Sequence, residues 1–251
     1  MGKILGFVLI VLLATPAAWA GESEQSGPAQ EERPWSLSFD STFVNKYIWR
    51  GQNLNNNASF QPGLAFSYKN LTISTWSQIS HTAFGDSGVA GNHWTEHDLT
   101  VDYGLALSEK VSMNVGWINY AFPNVGEDRY TNEFYSGISV DTLLQPSFSI
   151  YVDPHLGDGV YYNLGIGHGL DLGKGFGLNL SAAAGLNQGQ WIDITTVSDV
   201  VLGVGLDVPV SDNVSLSPFW NYITGNGSLR RGPDAFYFSG HLAGVNLNYS
   251  Y

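Results

Sequence analysis

Ala243-Gly244-Val245-Asn246-Leu247-Asn248-Tyr249-Ser250-Tyr251 decides the fold. In an extended chain Ala243, Val245, Leu247, Tyr249 and Tyr251 fall on one face. Gly244, Asn246, Asn248 and Ser250 fall on the other. A period of two with one apolar and one polar face marks a strand between two unlike solvents. Where the apolar face meets lipid and the other meets a wet lumen, the strand crosses a membrane. An edge strand of a soluble β-sandwich can alternate in the same way, so the rest of the chain has to separate the two.

The other end of the chain says where the protein goes. Lys3, the apolar run Ile4 to Ala14 and the small-x-small triplet Ala18-Trp19-Ala20 form a secretory signal peptide over residues 1–20. The apolar run is too short for a spanning helix. Residues 21–34 are polar and acidic, with Glu22, Glu24, Glu31, Glu32 and two prolines, and read as a flexible periplasmic lead-in. The chain has no cysteine, so it is expected to use no disulfide in an oxidising compartment. Its net charge of −12 speaks against nucleic acid. Only 13 % of residues are charged while 14 % are aromatic and 30 are Gly. That balance suits a barrel with a hydrocarbon-facing exterior and Gly-rich turns. Without a membrane helix in residues 21–251, only a closed barrel satisfies its backbone in lipid.

Alternation over residues 35–251 predicts twelve strands. The first is expected from Trp35 to Trp49, with Trp35, Leu37, Phe39, Phe43, Tyr47 and Trp49 outward. A polar loop, Gly51 to Ala58, is expected after it. Later strands repeat the pattern: Leu99, Val101, Tyr103 and Leu105 against Glu96, Asp98, Thr100 and Asp102, or Tyr162, Leu164 and Ile166 against Tyr161, Asn163 and Gly165. The last strand is expected from near Tyr237. Connections alternate between short turns, such as Lys69-Asn70 and Gly173-Lys174-Gly175, and mostly longer polar loops. An even strand count with alternating connections is the layout of an all-β, antiparallel up-and-down transmembrane barrel in the bacterial outer membrane, both termini periplasmic. Trp35, Tyr47, Trp49, Tyr68, Trp117, Phe176, Trp220, Tyr222, Tyr237, Tyr249 and Tyr251 sit at strand ends, where two interfacial girdles are expected.

The segment Asn45-Lys46-Tyr47-Ile48-Trp49-Arg50-Gly51 followed by Gln61-Pro62-Gly63-Leu64 resembles the opening of the Gcw_chp family of bacterial outer-membrane proteins. Weaker echoes are Glu96-x-Asp98-Leu99, Gly116-Trp117-Ile118-x-Tyr120 and Glu133-Phe134-Tyr135-x-Gly137. The resemblance implies a secreted porin-like barrel and supplies no substrate or catalytic residue. Pro62 departs from the pattern, since a barrel tolerates proline only near a strand end or bulge. The terminal aromatic run also resembles the C-terminal signal of outer-membrane proteins. It implies the barrel-assembly machinery as a partner, with outer-membrane lipids and lipopolysaccharide around the barrel.

The candidate pore-lining residues are the inward charges Asp40, Glu96, Asp98, Asp102, Glu133 and Asp153, with Lys46 and Arg50 on the first strand. Carboxylate rows favour cations, and facing acid and base rows orient polar solutes. None of the outer loops is long enough to read as a plug. The expected function is therefore a passive channel for small polar, cation-leaning solutes. Inward charges that pair and close the lumen are the competing reading, giving a structural or receptor barrel. A third reading is a membrane-facing lipid hydrolase built on Ser239, His241 and Asn45, which close into one neighbourhood when the last strand meets the first. It lacks an identifiable oxyanion donor. His97 and His168 have no second ligand at metal spacing. Asp153 and Asp158 could hold Ca²⁺, against a solvated hairpin loop. No cofactor motif is present.

Overall fold

The computed structural model describes residues 33–80, 93–123, 129–225 and 237–251. The expected signal peptide and the lead-in up to residue 32 lie outside the described residues. The strands run β1 (Trp35–Val44), β2 (Tyr47–Trp49), β3 (Gln52–Asn55), β4 (Ser59–Tyr68), β5 (Leu71–Ser80), β6 (His93–Ala106) and β7 (Val111–Ala121). They continue as β8 (Tyr130–Val140), β9 (Ser147–Asp153), β10 (Gly159–Gly173), β11 (Phe176–Gln188), β12 (Thr195–Ser211), β13 (Val214–Thr224) and β14 (Gly240–Ser250).

Twelve of these form one closed antiparallel barrel, in the order β1-β14-β13-β12-β11-β10-β9-β8-β7-β6-β5-β4. The seam is β1 against β14, from Ser38↔Ser250 to Val44↔Gly244. Tyr251 extends it: its N–H donates to the Leu37 carbonyl at 2.9 Å, and its ring lies 5.9 Å from Trp35. Closure leaves the barrel no sheet edge, so each of its twelve strands has a partner on both sides.

The barrel is inverted relative to a soluble protein. Leu164 is 59 % exposed and Leu202 52 %, both outward, while Gln78 and Glu133 are fully buried inside. A sandwich would bury its apolar faces against each other. An apolar exterior around a polar interior is what a transmembrane strand requires. The ten residues of β1, at a typical tilt, rise about 25 Å, matching the apolar band of such barrels. Pro62 sits inside β4 rather than at its end; the β4–β5 ladder skips from Phe60↔Ile79 to Gly63↔Trp76 around it. The missing N–H falls where the ladder is already interrupted.

The ends of the first and last strands need correction. The first wall strand stops at Val44, not Trp49, and the last begins at Gly240, not Tyr237. Tyr47, Trp49 and Tyr237, expected in the aromatic girdles, are buried at 3 %, 6 % and 3 % exposure. The stretch expected to be a polar loop contains β3 instead. Together β2 and β3 make a separate two-stranded sheet. Its position inside the barrel is the main departure from the sequence reading.

Candidate functional site

The wall strands β1 and β4 pair up to Val44↔Ser59. Asn45 still bonds Ala243 on β14, and the chain from Lys46 to Asn57 leaves the wall. Tyr47, Ile48 and Trp49 are all buried, and Trp49↔Gln52 closes a two-residue turn at Arg50-Gly51. Arg50 has φ 49° and Gly51 φ 77°. Two positive φ values are the signature of a tight hairpin turn, for which x-Gly is a favoured dipeptide. Gly51 is required twice over, because a Cβ there would lie 2.6 Å from the Ser198 carbonyl oxygen. Gly51→Ala is expected to destabilise the hairpin by about 1–3 kcal/mol. The check is proteolysis of folded barrels: cleavage within residues 45–58 should speed up while the barrel keeps its folded mobility on unheated gels.

The hairpin spans the bore. Its root lies between β1 and β4, and the strands opposite that root in the barrel order are β9 and β10. Arg50 reaches them. Its guanidinium carbon lies 4.4 Å from the ring centre of Tyr151 on β9 and 4.4 Å from that of Tyr161 on β10. Trp49 caps it at 4.5 Å. On neighbouring β8, Glu133 takes both guanidinium NH₂ groups in a bidentate pair at 2.7 Å. Gln190, in the β11–β12 connection, also accepts from Arg50 through Oε1. Two further donors hold Glu133 in place: Tyr120 OH at 2.9 Å and Gln190 Nε2 at 2.6 Å.

The flanks of the strut are packed. On one side Tyr47 meets Trp76 at 5.7 Å and donates its OH to Glu96 at 2.8 Å, and Trp49 meets Tyr120 edge-on at 6.3 Å. On the other, Val44, Ile48, Ile223 and Leu242 form a small apolar cluster with Phe219 and Phe238 against it. The Phe238 N–H donates to the Gly51 carbonyl at 2.7 Å, and Tyr237 bridges Gln52. The expectation that none of the outer loops is long enough to read as a plug therefore needs correction: the first one enters the bore and reaches its far wall. The shortness of the loop misled, because a tight hairpin crosses a bore with few residues.

The other candidates sort by depth. Asp40 is buried against Gly63, whose absent side chain makes room for the carboxylate. Asp102 accepts from Tyr135 OH at 2.5 Å and Asn114 Nδ2 at 2.8 Å. Asp98 Oδ1 is buried with no hydrogen-bond partner. Asp153 serves its own turn, taking Thr131 Oγ1 and the His155 N–H. Lys46 lies 3.4 Å from Asn56 Oδ1 and 5.9 Å from the Phe238 ring centre, at the hairpin root rather than on the wall. Arg50 likewise belongs to the strut, not to the first wall strand. Sequence reading missed Asp199, held against Tyr161 OH at 3.1 Å, and Asp207, held by Asn179 at 2.7 Å and Ser217 at 3.0 Å. Both follow from the outward phase Val200, Leu202, Val204, Leu206 of β12, which puts the odd residues inside.

The hydrolase trio is not assembled. Ser239 donates to Thr224 Oγ1 at 3.5 Å, and His241 stacks between Trp220 and Tyr222 at 5.3 and 5.5 Å. The Asn45 side-chain oxygen is taken by the Ala243 N–H at 3.0 Å. Ser239 also precedes β14 and is not part of the strand. His97 and His168 bond Ser77 and the Leu143 carbonyl. Among the described residues there is no cluster of three or more His, Cys, Asp or Glu suited to a metal.

No family model matches the chain, and no curated protein matches it. Solved structures do. An outer membrane channel from Pseudomonas putida F1 aligns with TM-score 0.55 at 10 % identity, covering 92 % of this chain and 100 % of that one. The KdgM porin, solved in complex with disordered oligogalacturonate, aligns with TM-score 0.54 at 10 % identity, covering 86 % and 99 %. The NanC porin aligns with TM-score 0.54 at 9 % identity, covering 85 % and 98 %. At such identities the likeness is one of fold: closed barrels of nearly the same extent.

Proposed function

We propose that this protein is an outer-membrane channel for small polar solutes with a preference for cations, narrowed by the β2–β3 strut. One observation carries the proposal: away from the strut the inward face stays polar. Asp40, Asp102, Asp207, Asn114, Asn179 and Asn246 occupy it, and not an apolar core. A barrel that served only as a solid peg would gain more from an apolar filling.

The sign of the solute follows from the charges. Asp40, Glu96, Asp98, Asp102, Asp153, Asp199 and Asp207 face inward against Lys46, while Glu133 and Arg50 neutralise each other. Low-dielectric walls strengthen such a field. An acidic oligosaccharide such as the oligogalacturonate named for the KdgM complex would be repelled by this lumen. The fold likeness supports the channel reading and not that ligand. The Gcw_chp resemblance, the lipid and lipopolysaccharide surroundings and insertion by the barrel-assembly machinery belong to the same reading.

Planar-bilayer recording of the refolded protein in a salt gradient tests it. A reversal potential on the cation side is expected, and Asp98→Asn should shift it toward zero. Anion selectivity, or a potential unmoved by Asp98→Asn, would sink the acidic channel. The packed flanks of the strut favour a second reading, a non-conducting structural or receptor barrel. It predicts no current from the intact barrel.

A further inference from the structure

The pocket around Arg50 has an unusual construction. Its walls come from β7, β8, β9, β10 and the β11–β12 connection, and only its occupant and the Trp49 cap come from the strut. Glu133 is aimed by Tyr120 and Gln190, groups that would hold it without Arg50. Tyr161 is tied to Asp199, and Tyr151 stacks between Tyr135 and Tyr161 at 5.5 and 6.1 Å. Glu133, Tyr151 and Tyr161 thus each have partners on the wall besides the group that fills the pocket. We propose that this pocket is a binding site for free guanidinium solutes, and that Arg50 is its built-in occupant.

The chemistry selects that class. A fully buried carboxylate offers two oxygens to a planar fork, which a guanidinium fills bidentately and an ammonium does not. Gln190 Oε1 adds a third acceptor in reach of the same group. Two tyrosine faces at 4.4 Å suit a flat, weakly hydrated cation. A neutral isostere would leave Glu133 buried and uncompensated. An anion would face that carboxylate directly. The site also lies across the bore from the root of the strut, so a guanidinium solute on its way through could take the place of Arg50 and release the tip. This names a solute class for the channel reading and rests on it only for the step of passage.

The test begins with binding alone. Arg50→Ala empties the pocket. Methylguanidinium is titrated against the refolded variant by calorimetry, with N-methylurea as the neutral probe of the same shape. Saturable methylguanidinium binding, at least about tenfold tighter than N-methylurea, is expected, and it should disappear in the Arg50→Ala, Glu133→Gln double variant. Equal affinity for the two probes, or binding that survives Glu133→Gln, overturns the proposal. If Arg50→Ala fails to refold, a barrel in which an Asn-Gly turn replaces residues 46–57 removes the occupant and keeps the wall. Absence of binding in that barrel also overturns the proposal. Conductance of the same variants is recorded separately. Binding without current keeps the site and removes the channel; current without binding keeps the channel and removes the site.

Discussion

Replacing Leu202 with arginine is expected to destabilise the folded barrel by about 2–4 kcal/mol in lipid vesicles. Leu202 lies on the outward face of β12 and pairs with Ala182, the middle residue of β11. It is 52 % exposed in the barrel alone, on the face that a transmembrane barrel turns to hydrocarbon. A guanidinium at that depth must leave water or drag the interface inward. Val210, near the turn end of the same strand and 59 % exposed, provides the contrast. Val210→Arg should cost less than about 1 kcal/mol, because its side chain reaches the interface. Denaturant unfolding in vesicles, followed by tryptophan fluorescence, measures both. The depth gradient is the diagnostic quantity. A β-sandwich in water would accept an exposed arginine at either position with little change, so equal small effects would remove the membrane-spanning reading.

The wall of this barrel was legible in the sequence and its interior was not, for one physical reason. A period of two reports which face of a strand is apolar; it does not report what body the strand belongs to. Tyr47 and Trp49 continue the odd phase of Trp35 to Phe43, so they read as more outward wall. In the structure the chain turns inward after Val44, and the same alternation packs against the lumen. A local signal did exist: Arg50-Gly51 between Tyr-Ile-Trp and Gln-Asn-Leu-Asn is a two-residue turn flanked by strand-forming residues. The polar, Asn-rich run after Gly51 hid it, because such runs usually mark solvent. The charges tell a similar story. Phase alone places Asp40, Glu96, Asp98, Asp102, Glu133 and Asp153 inside. Their partners come from strands far apart in sequence, as with Arg50 and Glu133, and strand periodicity carries no such information. Phase also turns Tyr161 inward, yet its place in a tyrosine wall with Tyr135 and Tyr151 follows only from the barrel order.

Removing the strut is expected to open the bore. Val44 and Ser59 are the last wall pair of β1 and β4, and Asn45 and Ala58 stand next to them. Replacing residues 46–57 with Asn-Gly lets the two strands meet in an ordinary two-residue hairpin, so the barrel keeps its closure. The packing of Tyr47 on Trp76 and of Ile48 on Ile223 and Leu242 goes with the strut, as does the Arg50–Glu133 pair. Glu133→Gln is the milder form, keeping shape and removing the charge that holds the tip. A charge-assisted pair contributes about 1.5–3 kcal/mol, so its loss should raise the open-to-closed ratio roughly ten- to hundredfold. Single-channel recording separates the two effects. Glu133→Gln should change how often the pore is open, whereas the strut-less barrel should change the size of the current. A strut-less barrel that folds, inserts and passes no current would mean that the polar lumen away from the strut is itself closed. The inward carboxylates would then be a structural network, and the channel reading would give way to the closed barrel.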